Sequence, residues 1–305
     1  MLTNKIGLII QGPLVSKGIK GSKLRDKNKI KSKDSEFVTK YNCLENVLDI
    51  GKKANNNFDE VILSTWESSD ISHVRESNIF SKIIVNSEKD FENLYIKNNV
   101  FIQNYKKQFH TLYVASRYLK KKDLDFIVKI RTDLEINIDK LHNECLIALS
   151  KNKTLINNGI RSSSRFLEID DFIFGSKSDL FIKWMDNLVK IEFGKPAGAH
   201  SNLMISYLWT KHKSKSYLKN IHFFHKSIEN NSKIINELAI KEWEDFHILG
   251  KKFWNNSKLR GEKLDSRYYD FKISEPKIKK HRMKYDFRAY AKWLKSDFSL
   301  QSNVK

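Results

Sequence analysis

The sequence predicts an α/β protein, a mainly parallel sheet covered by helices on both faces and followed by a mostly helical C-terminal part. Three observations predict it. Compact apolar runs of strand length alternate with longer amphipathic stretches through the first half of the chain. A 40% hydrophobic and 12% aromatic content, with three prolines and eleven glycines in 305 residues, excludes a largely disordered or low-complexity chain. Strands separated by helices imply βαβ units, whose strands lie parallel and are buried on both sides.

Taken in order, Ile6 to Ile10 reads as a buried strand that runs into Gly12-Pro13. Residues Lys17 to Lys33 hold eight Lys or Arg, with glycines and no apolar period, and read as a basic loop. Tyr41, Leu44, Val47 and Leu48 recur at helical spacing, Asp59 to Leu63 reads as a second strand, and Lys82 to Val85 as a third. Ile102, Tyr105, Phe109, Leu112, Ser116 and Leu119 repeat every three or four residues along a helix, and Phe126 to Ile130 is a fourth strand. Asp170-Asp171-Phe172-Ile173-Phe174 ends at Gly175, read as a turn glycine, and a helix begins near Ser176 to Asp179. After Pro276, the residues Met283, Phe287, Tyr290 and Leu294 form the apolar face of a basic amphipathic helix. The expected division is an α/β ligand-binding region over 1–185, a part completing the same domain on the acceptor side over 186–275, and a basic tail over 276–305.

Fifty-six Lys and Arg against thirty-six Asp and Glu give a formal charge of +20, which favours anionic partners such as phosphates, nucleic acid, acidic sugars or an anionic leaflet. Cys43 and Cys145 are the only cysteines, so neither a disulfide framework nor a Cys-based zinc site is available, and a reducing compartment fits. No stretch reaches the roughly 20 apolar residues of a spanning helix, and the Ile6 to Ile10 run is too short for a signal peptide. The expectation is a cytoplasmic protein that is not integral to the membrane.

In a parallel sheet, ligands bind beyond the carboxyl ends of the strands, so the polar residues that follow each strand are the candidates. They are Gln11-Gly12-Pro13, Ser64-Thr65-Trp66-Glu67, Asn86-Ser87-Glu88 and Arg131-Thr132-Asp133-Leu134-Glu135. Side chains two apart on an extended backbone point the same way, which puts Asp133 and Glu135 together as a hard-oxygen pair suited to Mg²⁺ or Mn²⁺ beside a diphosphate. Arg131 shares that side and suits either a carboxylate or a phosphate. As a strand-end acid, Asp133 is expected to be exposed and to contribute little to packing. Asp170 and Asp171 sit among apolar neighbours, an environment that suits a general base for a hydroxyl, while either could instead cap the following helix. His200, among the small residues Gly198, Ala199 and Ser201, suits an open turn near a ligand. Neither a nucleophile elbow nor a GxGxxG or P-loop pattern occurs, so hydrolase, dinucleotide oxidoreductase and P-loop kinase readings lack support.

Four motifs occur together: I-I-Q-G-P at 9–13, L-S-T-W-E at 63–67, V-K-I-R-T-D-L at 128–134 and D-D-F-I-F-G at 170–175. The set resembles the WavE-type lipopolysaccharide-synthesis family over about residues 5–185. That resemblance implies a GT-A-like fold and a glycosyltransferase that takes a nucleotide-sugar donor. It would place Gln11, Gly12 and Pro13 along the nucleotide, Ser64, Thr65 and Trp66 on the neighbouring wall, and Arg131 and Asp133 at the diphosphate or sugar. Where the family has Arg-Gln followed by Ser-Thr, this chain has Lys107-Gln108 and Thr111. A lysine there lacks the bidentate fork of an arginine.

The expected activity is transfer of a sugar to a lipopolysaccharide, lipooligosaccharide or capsule acceptor, with Asp171 as base. The departing phosphate would be stabilised by Mg²⁺ or Mn²⁺ at Asp133 and Glu135, or by Arg and Lys. A cytidine-monophosphate sugar would not require the metal. The basic tail predicts peripheral attachment to the anionic inner membrane, where a lipid-linked acceptor would reside. Two rivals predict different behaviour. A nucleic-acid binder needs a basic face interleaved with exposed aromatics, whereas the strand-end acids here would repel phosphates, so no nucleic-acid partner is expected. A non-catalytic scaffold would bind membranes and turn over no nucleotide sugar.

Overall fold

The computed structural model describes residues 4–19, 38–97, 104–157, 169, 171–192, 202–203, 206–207, 210–211 and 238–241. These form an α/β architecture, a seven-stranded mainly parallel sheet with helices on both faces. Its strands are β1 (Ile6–Gln11), β4 (Glu60–Trp66), β5 (Lys82–Asn86), β6 (Phe126–Arg131), β7 (Thr154–Asn157), β8 (Phe174–Lys177) and β9 (Leu238–Lys241). A separate antiparallel pair is made by β2 (Val15–Ile19) and β3 (Val38–Asn42). The helices are α1 (Leu44–Ala54), α2 (Ser72–Glu76), α3 (Glu88–Lys97), α4 (Asn104–Leu119), α5 (Ile138–Ser150) and α6 (Ser178–Glu192).

The sheet order is β5-β4-β1-β6-β8-β7-β9. Successive parallel strands are laid from β1 outward through β4 to β5, and the chain then crosses back to place β6 on the other side of β1. The lateral order of the strands therefore reverses between β1 and β6, and the crevice at the carboxyl ends of such strands is where open α/β sheets bind ligands. Beyond β6 the sheet turns antiparallel through β8 and β7, and β9 extends it in parallel with β7.

Alternation along the strands assigns the two faces. Ile6, Leu8 and Ile10 of β1 join Val61 and Leu63 of β4 and Phe126, Val128 and Ile130 of β6 in a core with Val47, Ile50 and Ala54 of α1 and Leu141, Cys145 and Ala148 of α5. The opposite face is covered by α4, which packs on β1 and β4, and by α6, which packs on β6 and β8. There Phe174 meets Phe181 and Trp184, and Trp184 meets Tyr207 edge-on. The Trp184 indole donates to the Leu203 carbonyl at 3.0 Å and to Ser206 Oγ at 2.9 Å, so its one polar atom is satisfied inside the core.

Some local expectations change. Tyr41 belongs to β3, and the helix begins only at Leu44 after the Cys43 cap. The first part of the basic stretch, through Ile19, is strand β2, paired with β3. Its sequence, Val-Ser-Lys-Gly-Ile, carries no alternation of polar and apolar residues that would mark a strand. Gly175 lies inside β8 instead of at a turn. A Cβ there would come within 2.7 Å of the Ile127 carbonyl and 2.8 Å of the Phe126 ring, so the glycine permits close approach of β8 to β6. The tail at 276–305, Asp170 and His200 lie outside the described residues. Among the described residues, no helix is long and apolar enough to cross a membrane.

Candidate functional site

The crevice is built from the chain segments that leave β1, β4 and β6. Parallel register aligns Gln11 with Ser64 on one side and with Arg131 on the other. Gly12 then leaves the strand at φ 140°, a backbone conformation that glycine alone adopts without strain. A side chain there would also come within 2.5 Å of Thr132 Oγ1. That hydroxyl donates to the Pro13 carbonyl at 2.9 Å, and the Thr132 amide donates to the Gln11 carbonyl at 3.0 Å. The loop after β1 and the turn after β6 are thereby stitched together. From α1, Asn46 Nδ2 donates to the carbonyls of Thr132 and Leu134, each at 2.9 Å, and so holds the turn from below.

On the β1-β4-β5 side the buried polar groups of the strand ends are neutral and committed to one another and to α4. Gln11 Nε2 donates to the Gln108 carbonyl at 2.6 Å and to Thr111 Oγ1 at 2.8 Å, both on α4. Ser64 Oγ donates to the Thr111 carbonyl at 2.9 Å, and Asn86 Nδ2 donates to the Thr65 carbonyl at 2.7 Å and to Ser64 Oγ at 3.2 Å. Gln11, Ser64, Thr65, Asn86 and Thr111 are all buried. Thr65 Oγ1 reaches Ser69 Oγ at 3.1 Å, which in turn accepts from the Leu14 amide. Outside this network lies an aromatic cluster. Trp66 stacks on His110 at 6.1 Å and meets Phe91 edge-on at 5.5 Å, and Lys107 Nζ lies 5.5 Å from the Trp66 ring centre and 3.5 Å from Glu88. Burial pushes the His110 imidazole down to about 4, against a weaker opposing pull from Asp90.

On the β6 side the groups are charged. Arg131 Nε and Nη2 grip both oxygens of Asp133 at 2.8 and 2.6 Å, and Nη1 lies 3.4 Å from Asp171 Oδ2. The guanidinium also stacks over the Phe172 ring, 4.9 Å from its centre. Two residues earlier on the same face of the strand, the buried Lys129 donates to the Asp171 carbonyl and lies 5.3 Å from the Phe174 ring centre. Arg131 thus gathers carboxylates from two segments far apart in sequence.

Among the expected residues, Gln11, Gly12, Pro13, Ser64, Thr65, Trp66, Arg131, Asp133 and Asp171 stand at the carboxyl ends of the strands, with Lys107 and Gln108 on α4 beside them. The pairing of Asp133 with Glu135 by strand alternation is not kept, because β6 ends at Arg131 and the Leu134 amide closes a turn on the Arg131 carbonyl. Nor is Asp133 exposed: its side chain is 14% accessible, against 13% for Arg131, since the two cover each other. Among the described residues no group of three or more His, Cys, Asp or Glu is gathered to hold a metal ion. A divalent ion at Asp133 would have to take the place of Arg131. Sequence reasoning missed Asn46, His110 and Lys129. Lys129 carried a signal, a lone cation inside the apolar run of β6, whereas Asn46 is one of many helix-surface polars until the turn lies over it.

By sequence, no protein-family model matches the chain and no curated protein matches it. Among solved structures, it is similar to a cytidylyltransferase from Leptospira borgpetersenii, with 16% identity and a TM-score of 0.36 over 69% of this chain and 73% of that one. It is also similar to a protein assigned as a nucleotide-diphospho-sugar transferase from Desulfovibrio desulfuricans, with 9% identity and a TM-score of 0.38 over 69% and 78%. A third, Rv0371c of Mycobacterium tuberculosis in complex with manganese, shows 12% identity and a TM-score of 0.33 over 79% and 87%.

Proposed function

We propose that this chain is a glycosyltransferase that binds a nucleotide-sugar donor in the crevice between β1 and β6 and passes the sugar to a bacterial surface-glycan acceptor. The observation that carries the reading is the charge cluster at that crevice, Arg131 held between Asp133 and Asp171 where the sheet order reverses. Crevices of this kind are where open parallel sheets take up ligands. The resemblance of the motif set to the WavE-type family is what favours the finer assignment to lipopolysaccharide, lipooligosaccharide or capsule synthesis.

In this reading Asp171 accepts the proton of the acceptor hydroxyl as the new glycosidic bond forms, and the nucleotide leaves with the bonding electrons on its phosphate. Arg131 and the surrounding basic side chains offset the charge that develops on that phosphate. A Mg²⁺ or Mn²⁺ at Asp133 and Glu135 would supply the same electrostatic help only by displacing Arg131 from Asp133, because the two acids are not paired by strand alternation. The Gln11, Ser64 and Asn86 network keeps α4 seated against the strand ends, so that Gly12, Pro13 and Lys107 present a fixed wall to the nucleotide.

The test is a thermal-shift screen of UDP-, GDP- and CMP-sugars against the full chain, with and without Mn²⁺, followed by a transfer assay with whichever donor binds. Ligand binding to the native state raises the melting temperature by mass action, so one nucleotide class is expected to stabilise the protein. Absence of stabilisation and of transfer with every donor, in both metal conditions, overturns the proposal. Binding of arbitrary DNA that falls with salt and survives Asp133→Ala would favour the nucleic-acid reading instead.

A further inference from the structure

The least expected residue near the crevice is Lys129. It sits inside β6, is 1% exposed, and lies on the face covered by α6, across the ladder from Phe174. An ammonium removed from water there is costly unless it is hydrogen-bonded and balanced by opposite charge. Lys129 donates to the Asp171 carbonyl, the Phe174 ring lies beneath it, and the residue that takes this hydrogen bond also carries a carboxylate. Two residues on, Arg131 takes that carboxylate. The two cations of one strand face therefore hold Asp171 at two points, the backbone by Lys129 and the side chain by Arg131.

We infer that Lys129 is a positioning residue which fixes the 171–173 segment against β6, and so sets where the Asp171 carboxylate points in the crevice. The inference rests on the reading above, in which Asp171 is the base. A segment that joins β8 without regular structure has no ladder of its own to fix residue 171, and a single anchored carbonyl removes that freedom. A misplacement of about 1 Å in a reacting group can cost about 100-fold in rate, so an anchor without substrate contact can still govern turnover. Lys129 and Arg131 of β6 face Asp171, and Asp133 faces it across Arg131.

The test compares Lys129→Met, which keeps the volume, with Lys129→Gln, which keeps a donor for the carbonyl but not the charge. The expected result for Lys129→Met is a kcat lower by roughly 10- to 100-fold, with unchanged donor Kd and a folded protein. Lys129→Gln should recover much of kcat. Wild-type kcat in Lys129→Met, alongside an inactive Asp171→Asn, would sink the positioning role and leave the base intact. Full activity in Asp171→Asn would instead sink the reading on which it rests. Unfolding of both Lys129 variants shows a purely structural lysine and also overturns the inference.

Discussion

The two sides of the crevice solve the same problem with opposite chemistry. On the β1-β4-β5 side, Gln11, Ser64, Asn86 and Thr111 form a neutral network in which side-chain amides and hydroxyls are spent on α4 and on neighbouring strand ends. On the β6 side, Lys129, Arg131, Asp133 and Asp171 form a charged one. Neutral hydrogen bonds inside a protein specify one geometry and are expensive only when left half made. A guanidinium shared between two carboxylates can exchange one of them for a phosphate, because another anion replaces the one lost. The contrast assigns scaffold work to one side and chemistry to the other.

The largest effect that would break this division is on turnover. Asp171→Asn is expected to lower transfer by about 100- to 10,000-fold, the usual contribution of a general base, with donor affinity unchanged in a calorimetric titration. If donor affinity collapses instead, Asp171 binds the donor and the base must be sought elsewhere, Asp170 being the first candidate.

A comparison of Asp133→Asn with Gln11→Leu sharpens it. Asp133→Asn withdraws the bidentate partner of a mostly buried Arg131 and should cost about 3 kcal/mol of folding stability by denaturant titration, together with loss of turnover. Gln11→Leu leaves the Gln108 carbonyl and the Thr111 hydroxyl without their donor and should cost about 1–3 kcal/mol, with kcat retained wherever the protein is folded. Equal loss of kcat at matched folded fraction in both variants would erase the distinction between the two sides.

The remaining effect shows only as pH falls and concerns His110, which supports the neutral side from α4. Its imidazole titrates near 4 in the folded protein and near 6.5 when unfolded, so below 6.5 the unfolded chain takes up a proton that the folded one refuses. The stability it permits is whole above pH 6.5 and is lost as pH falls towards 4, by up to about 1.4 kcal/mol per unit. In His110→Phe, which keeps an aromatic ring against Trp66 and Phe91, the stability curve between pH 6.5 and 4 should be flatter. An unchanged slope would mean that His110 is hydrated and charged in the folded state.

Much of this was legible beforehand. Apolar runs bounded by polar residues determined where β1, β4 and β6 lie, because a strand buried on both faces tends to be continuously apolar, and the edge strand β5 showed a similar run although Lys82 and Val85 are exposed. The same logic pointed to the residues after each strand as the ones to inspect. What the alternation rule could not foresee was that β6 stops at Arg131, so Glu135 leaves the register it would share with Asp133 on an extended chain. Short strands such as β2, β8 and β9 were hidden as well, since four or five residues carry too little pattern and their pairing is decided by partners distant in sequence. The sequence by itself determined which chemistry was present, a lysine and an arginine two apart on one strand and acids on either side of a turn. Only the tertiary structure decided that Arg131 would choose both Asp133 and Asp171, that Lys129 would reach the Asp171 carbonyl, and that Gln11 would face α4. Those choices depend on distances set by the packing of β8 and α4 on the sheet, and no spacing along the chain encodes a contact between residues 42 or 97 positions apart.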